Sequence, residues 1–207
     1  MQTSSSVLRM GRRAGVGMHL TSLPGAYGIG DIADSAMAFI DTLVEMNLGV
    51  WQFLPLGPTA YGDSPYQPLS AFAGNANLIG PAPLLELGLI EPPELEPFAE
   101  LPEDHTDYGR LIPLKRDLLA RAAGRFMARG DAVLKREYEA FLDGNAELWL
   151  DDYALFRVLK TAHRERPWPE WETSYVHRNP DALASARQKF AEHIERTRIT
   201  QFLFDRQ

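Results

Sequence analysis

Apolar and polar positions alternate over Arg12–Leu20, where Val16, Met18 and Leu20 lie two apart, until Thr21-Ser22-Leu23-Pro24-Gly25 breaks the pattern. Alternation that ends in turn residues predicts a strand running into a loop. The period then changes. Ala36, Phe39, Ile40, Leu43 and Val44 share one helical face, with Asp31 and Asp34 as candidate N-caps and Gly49 just past the end. Val50–Leu56 is short, apolar and stopped by Pro55, which predicts a second, buried strand. Strand, helix and strand within about 45 residues form a βαβ unit and imply a parallel pair.

Gly57–Gly80 loses periodicity but carries Tyr61-Gly62-Asp63-Ser64-Pro65-Tyr66-Gln67 and Ser70-Ala71-Phe72-Ala73-Gly74-Asn75. Loops this long inside a domain are functional or disordered as a rule, and aromatic and amide residues argue for order. Beyond Pro81 the pattern turns helical: one or two turns over Leu84–Gly88, then Leu114–Ala128, Ala132–Leu142 and Ala146–His163. Glu91–Asp107 is acidic and proline-rich and reads as a surface loop; Pro167–Arg178 reads as another loop. Asn179-Pro180 is an N-cap and first-turn pair opening a helix that runs to Gln207. Ile194, Ile199, Phe202, Leu203 and Phe204 form an apolar tail with no closing Gly, Pro or polar cap. The tail reads as a helix deprived of its packing partner and exposed to water, with aggregation as the consequence. Met1–Met10 reads as a loose start.

Composition narrows the function. Among 207 residues, 45% are hydrophobic and 24% charged, enough to build a core. The net charge of −7 repels phosphate and disfavours nucleic acid as partner. With no cysteine, disulfides, thiolate catalysis and zinc–cysteine sites are excluded. No signal peptide follows the polar start, and no apolar run approaches the roughly 18 residues of a membrane span. The expectation is a cytoplasmic protein without membrane association.

The loop after the second strand carries the candidate chemistry. In parallel sheets, ligands bind beyond the carboxyl ends of the strands. Tyrosine rings cover the flat C–H faces of sugars, and hydroxyl, amide and carboxylate groups meet their hydroxyls. Read from the residues alone, a rigid Pro/Gly loop whose tyrosines plug the sheet end explains the same segment. His19 and Ser22 follow the first strand, but Ser22 has no nucleophile-elbow context, and His19 reads as a hydrogen-bonded structural residue. Trp51 and Trp149 sit in apolar runs and read as core. Trp168 and Trp171 sit in a loop and serve packing or sugar stacking equally well. The remaining histidines lack metal-ligand spacing, and the basic residues of Arg116–Arg129 read as a solvated face.

Five segments together carry a family resemblance: Leu20–Gly25, Gly28-Ile29-Gly30-Asp31, Trp51–Thr59, Tyr61–Gln67 and Ser70–Asn75, with Asp152–Phe156 and Gln201–Phe204 fitting the same pattern. In that order they resemble the 4-α-glucanotransferase family (amylomaltase, or disproportionating enzyme), which is related to the α-amylases. The match is dense over Val16–Leu87 and sparse beyond. The resemblance implies an α/β fold, here an incomplete (β/α)8 barrel: the first two strands plus a helical insertion subdomain. It implies two segments, residues 1–80 with the first barrel strands and the sugar-binding loop, and residues 81–207, mainly helical and truncated at the C-terminus. It implies retaining transfer of an α-1,4-glucan segment to the 4-hydroxyl of an acceptor. Ser64 and Tyr66 are placed near the reacting ring and Tyr61 on an outer glucan-contact surface. The family's catalytic carboxylates match no position of this sequence, so no catalytic residue is assigned and the 207 residues alone are expected to be inactive. No cofactor or metal is expected. The expected partners are α-1,4-glucans such as maltooligosaccharides, with the missing barrel half as a further partner. A non-catalytic glucan-binding or partner-binding fragment is the alternative.

Overall fold

The computed structural model describes residues 11–207; the reading of Met1–Met10 lies outside them. The chain opens with β1 (Gly15–Gly17), α1 (Asp34–Glu45) and β2 (Val50–Gln52). The two strands pair in parallel, Gly15 with Val50 and Gly17 with Gln52, as the βαβ pattern predicts. Both are shorter than the apolar runs that announced them. Each has one neighbour, so regular ladder bonding lasts only three residues.

Asp31 sets the start of α1 from three residues upstream. Its Oδ1 accepts from Ala33 N at 3.0 Å and Ser35 N at 3.1 Å, satisfying donors that a helix start leaves open. Asp34 lies in the first turn without capping. At the other end the left-handed residue is Asn47, with φ 55°, while the amide of Gly49 donates to Ala14 O at 3.1 Å and leads into β2. Asn tolerates this conformation because its short polar side chain bonds locally.

The remainder is helical: α2 (Pro81–Glu86), α3 (Tyr108–Arg129), α4 (Ala132–Asn145), α5 (Asp151–Ala162), α6 (Thr173–Val176), α7 (Pro180–Lys189) and α8 (Ala191–Arg206). A π-turn over Ala146–Leu150 joins α4 to α5. The helix expected from Asn179 onward divides at Phe190 into α7 and α8. Asn179 caps α7 as read, accepting from Asp181 N and Ala182 N.

Several expectations are overturned, among them the reading of Pro167–Arg178 as a loop, which holds a 3₁₀ turn and α6. Glu91–Asp107 is not merely a surface loop: Pro92–Glu100 forms a 3₁₀ helix, and Phe98 and Leu101 are buried. Arg125 fixes that segment by donating to Leu89 O at 3.0 Å and pairing with Glu94 at 2.5 Å, so the basic residues of α3 are not simply a solvated face. A further correction concerns the apolar tail. Ile194, Ile199, Phe202 and Leu203 are buried rather than exposed to water. Ile199, Phe202 and Leu203 enter the larger core with Leu111, Leu118 and Phe126 of α3. The Phe202 ring meets those of Phe126, Tyr138 and Phe141 at centroid distances of 5.4–6.0 Å. The partners of α8 lie upstream in the chain.

That core also takes Leu20, Ile29, Leu78 and Ile79 from the first eighty residues. A smaller core, built from α5, α7, Trp171 and Ile194, stands beside it. On the βαβ unit large apolar side chains stand exposed, Met37, Ile40 and Val44 along one stripe of α1 and Val50 and Phe53 at and after β2, while those exposed on the helical part, such as Val133 and Leu148, are scattered singly. Among the described residues, no helix is long and apolar enough to cross a membrane.

Candidate glucan-binding loop

The loop leaving the carboxyl end of β2 is built, not slack. Thr59 and Pro68 form an antiparallel bridge, and Leu69 N donates to Pro58 O at 2.8 Å. Between them Tyr61–Asp63 makes a 3₁₀ turn in which Gly62 and Asp63 both take positive φ, 66° and 53°. Thr59 Oγ1 donates to Asp63 Oδ1 at 3.4 Å. Ser64 is half-buried, and its Oγ accepts from Tyr66 N at 3.4 Å. Tyr66 projects from this turn and is 71% exposed. At that exposure the Tyr66 ring is not packed as a plug of the sheet end. Tyr61 contributes its backbone to the 3₁₀ turn, and its side chain lies outside the described residues.

A second aromatic surface adjoins in sequence. Ser70 Oγ accepts from Phe72 N and Ala73 N at 3.1 Å each. Phe72, 73% exposed, stacks on Trp149 with centroids 6.4 Å apart. Trp149, expected in the core, is only half-buried, and its Nε1 donates to Asn145 Oδ1 at 2.8 Å across the π-turn. Trp51 is likewise half-buried. It lies between Phe39 and Phe53, and its Nε1 donates to Met18 O at 2.8 Å.

The far end of the loop is clamped by α8. Gln201, buried, accepts from Gly74 N at 2.8 Å and donates to Gly74 O at 3.0 Å. Gln207 treats Gly80 the same way, at 2.7 and 3.0 Å. The carboxamides thus supply the donor and acceptor that a neighbouring strand would give. Glycine is required at position 74, because a Cβ there would meet the Phe204 ring at 2.2 Å.

Beneath the loop lies a charged group that sequence reading missed. Lys115 is fully buried and donates from Nζ to Ile79 O at 2.6 Å. Burial pushes its pKa down to about 8, against the field of Asp31. Asp31 is pushed the other way by its own burial, opposed by its amide bonds and by Lys115. The signal was present in the sequence: Lys115 follows Leu111 by four positions and precedes Leu118 by three, on the apolar stripe of α3. His19 sits past β1, half-buried, with Nδ1 lacking a partner among the described residues and its pKa lowered by burial. The reading of His19 as a hydrogen-bonded structural residue is thus not met at Nδ1. His163 and Trp171 are structural, with rings stacked 4.7 Å apart. Among the described residues searched, no group of three His, Asp or Glu side chains converges as a metal site.

A parallel strand pair that carries an ordered aromatic loop on its carboxyl end, backed by helices, defines an α/β protein, and that loop stands where such folds place their candidate ligand sites. Residues 18–207 match the family model described as 4-alpha-glucanotransferase, and the chain belongs to that family. It is 40% identical over 199 residues to the 4-alpha-glucanotransferase of Streptococcus pneumoniae serotype 4, covering 95% of this chain and 38% of that protein. The Thermus thermophilus 4-alpha-glucanotransferase is 41% identical over 200 residues, covering 97% and 39%. Amylomaltase from Streptococcus agalactiae, solved in complex with acarbose, superposes with a TM-score of 0.86 at 36% identity, over 94% of this chain and 39% of that one. The chain thus spans under two-fifths of the length of these relatives.

Proposed function

We propose that the complete protein is a 4-α-glucanotransferase of the cytoplasm, and that these 207 residues supply its first barrel strands and its substrate-holding loop. The reaction would cleave an α-1,4-glucan with retention and pass the donor segment to the 4-hydroxyl of an acceptor glucan. The observation that carries this reading is the exposed Tyr66 ring on a hydrogen-bonded turn at the carboxyl end of β2, within a chain of this family. Tyr66 stacks on a sugar face, Ser64 bonds its hydroxyls, and Tyr61 contacts glucan further out. The one-sided pairing of β1 and β2 and the exposed stripe of α1 support an incomplete (β/α)8 barrel, which further barrel strands would complete. Residues 1–80 then hold the strands and loop, and residues 81–207 the helical subdomain, sharing one core.

Retaining transfer requires two carboxyl groups about 5–5.5 Å apart across the bond, and these come from sequence other than these residues. The test is maltotriose disproportionation. The complete protein should release glucose and longer maltooligosaccharides, and the 207 residues alone should release neither. Tyr66→Ala in the complete protein should lower kcat/KM about 5- to 150-fold, the range for losing one positioning contact worth roughly 1–3 kcal/mol. An unchanged kcat/KM would reduce Tyr66 to a packing residue. No transfer by the complete protein would defeat the reading itself.

A further inference from the structure

Two cavities lie away from the β2 loop. The larger is walled by charged side chains already engaged with one another, such as Arg198 with Asp151 at 2.7 Å and Glu195 at 3.3 Å. The smaller, of about 300 Å³, is different in kind. It opens between α5, the turn Trp168–Glu170, α6 and the start of α7, with Phe156, Trp168, Trp171 and Tyr175 among its lining residues.

The floor is rigid. Trp171 is buried, stacked against Phe156 at 5.7 Å and against His163 at 4.7 Å, and its Nε1 donates to Arg166 O at 3.2 Å. His163 is held in turn by Leu159 O and by Glu172. Trp168 is the exception. It lies between Pro167 and Pro169, on a turn closed by Trp171 N donating to Trp168 O at 3.1 Å, and its side chain is left 51% exposed. Prolines on both sides restrict the backbone that carries the ring. The rim is polar: Asp152 accepts from Arg178 at 2.8 Å and faces Arg187 at 3.6 Å. Two guanidiniums face that one carboxylate, so the opening does not call for a cationic ligand.

We propose that this cavity is a second glucan-holding site, with Trp168 as its stacking face and the Asp152–Arg178 pair as its hydroxyl-binding rim. The inference rests on the proposed glucan chemistry but concerns a separate surface. A ligand with flat C–H faces and a hydroxyl edge fits an aromatic face bordered by guanidinium donors and a carboxylate acceptor. A volume at the lower end of the range for small-molecule pockets admits a short stretch of an α-1,4-glucan, the rest of which extends into solvent. Such a site holds a long polymer to the protein without touching the reacting bond. It adds to overall retention when the β2 loop is also engaged.

Affinity electrophoresis of the 207-residue chain in gels with and without soluble starch tests this, alongside Trp168→Ala, Trp168→Phe and Tyr66→Ala. Trp168→Ala should lose most of the starch-dependent retardation, roughly a 10-fold weaker apparent affinity, from the loss of one stacking contact. Trp168→Phe should keep much of it, and Tyr66→Ala should retain the share that depends on Trp168. Equal thermal transitions would establish that the variants are folded. If Trp168→Ala migrates like the unaltered chain while Tyr66→Ala loses retardation, the second site is refuted and the transferase reading stands. If the unaltered chain shows no retardation, the second site is again refuted. The transferase reading is then decided separately, by maltotriose disproportionation in the complete protein.

Discussion

The βαβ unit and the helical body follow opposite rules of burial. In the body, most apolar side chains on the helix faces find partners, and Leu111, Leu118, Ala122, Leu150 and Ile199 are fully buried although Val133 and Leu148 stay exposed. In the βαβ unit, α1 buries Ala36 and Leu43 but presents Met37, Ile40 and Val44 to solvent, and the strand pair has one ladder. The same chain thus contains a closed core and an open one. The difference teaches that the helical segment is no accessory: α8 fills the core, and Gln201 on it and Gln207 just after it clamp the Gly57–Gly80 loop. The loop proposed to hold substrate is therefore positioned from the body rather than from the open sheet that it leaves.

The largest test of this contrast is Phe202→Ala. Deleting an aromatic side chain from a packed core costs about 3–5 kcal/mol. Chemical denaturation of the 207-residue chain should show a loss of that size, together with new binding of a hydrophobic dye. A loss under about 1 kcal/mol would mean that α8 is not the centre of the closed core.

The second test uses Lys115. Its folded pKa of about 8 lies below the ordinary lysine value of about 10.4. Between these two values the unfolded chain holds a proton that the folded chain has released, so stability must rise with pH across that window. Below about pH 8 both states are charged and the cost of burying the ammonium is present in full. The separation corresponds to roughly 3 kcal/mol. Lys115→Met should remove this rise while leaving that from other groups. Parallel pH profiles of Tm for the two proteins between pH 8 and 10 would show that the buried ammonium has another partner.

The sequence was informative where pattern and partner are both local. Alternation followed by a 3.6-residue period showed the βαβ unit, and Asn179-Pro180 marked the start of α7. It was uninformative where the partner is remote. The apolar face of α8 is plain in the residues, but periodicity does not say whether its complement lies upstream or downstream, and the upstream answer reversed the expected exposure. Phe98 was hidden because prolines and acids around it signal a loop, while a 3₁₀ helix tolerates both and still buries one ring. At the site, Tyr66 and Ser64 stood out through their motif. Gln201 fell within a matched segment, but a glutamine on an apolar helix face carries no local sign that it binds the backbone of Gly74.

Gln201 provides the third test. Gln201→Leu keeps the bulk but leaves the N–H and C=O of Gly74 without their buried partners, each loss costing about 1–3 kcal/mol. The loop should respond more than the body. Hydrogen exchange at the Gly74 amide should accelerate, while amides in the middle of α3 change only by the global loss of stability. Uniform acceleration throughout would mean that the clamp is one more core contact and has no particular hold on the loop.

The smallest effect is expected on the open side and depends on context. Val44 is 71% exposed on the stripe it shares with Met37 and Ile40. Replacing an exposed side chain away from special features changes stability by less than about 0.5 kcal/mol. Val44→Thr should therefore be nearly silent in the 207-residue chain. If the proposed barrel is completed by further strands and helices, some of them should cover this stripe, and the introduced hydroxyl would then be buried. The same substitution in the complete protein should cost about 1–3 kcal/mol, the usual penalty for a buried hydroxyl without a partner. Comparing denaturation midpoints of the two lengths, each with and without Val44→Thr, isolates the contribution of the covering elements. Equal, small effects at both lengths would show that α1 keeps this face in water, and would remove the exposed stripe from the case for an incomplete barrel.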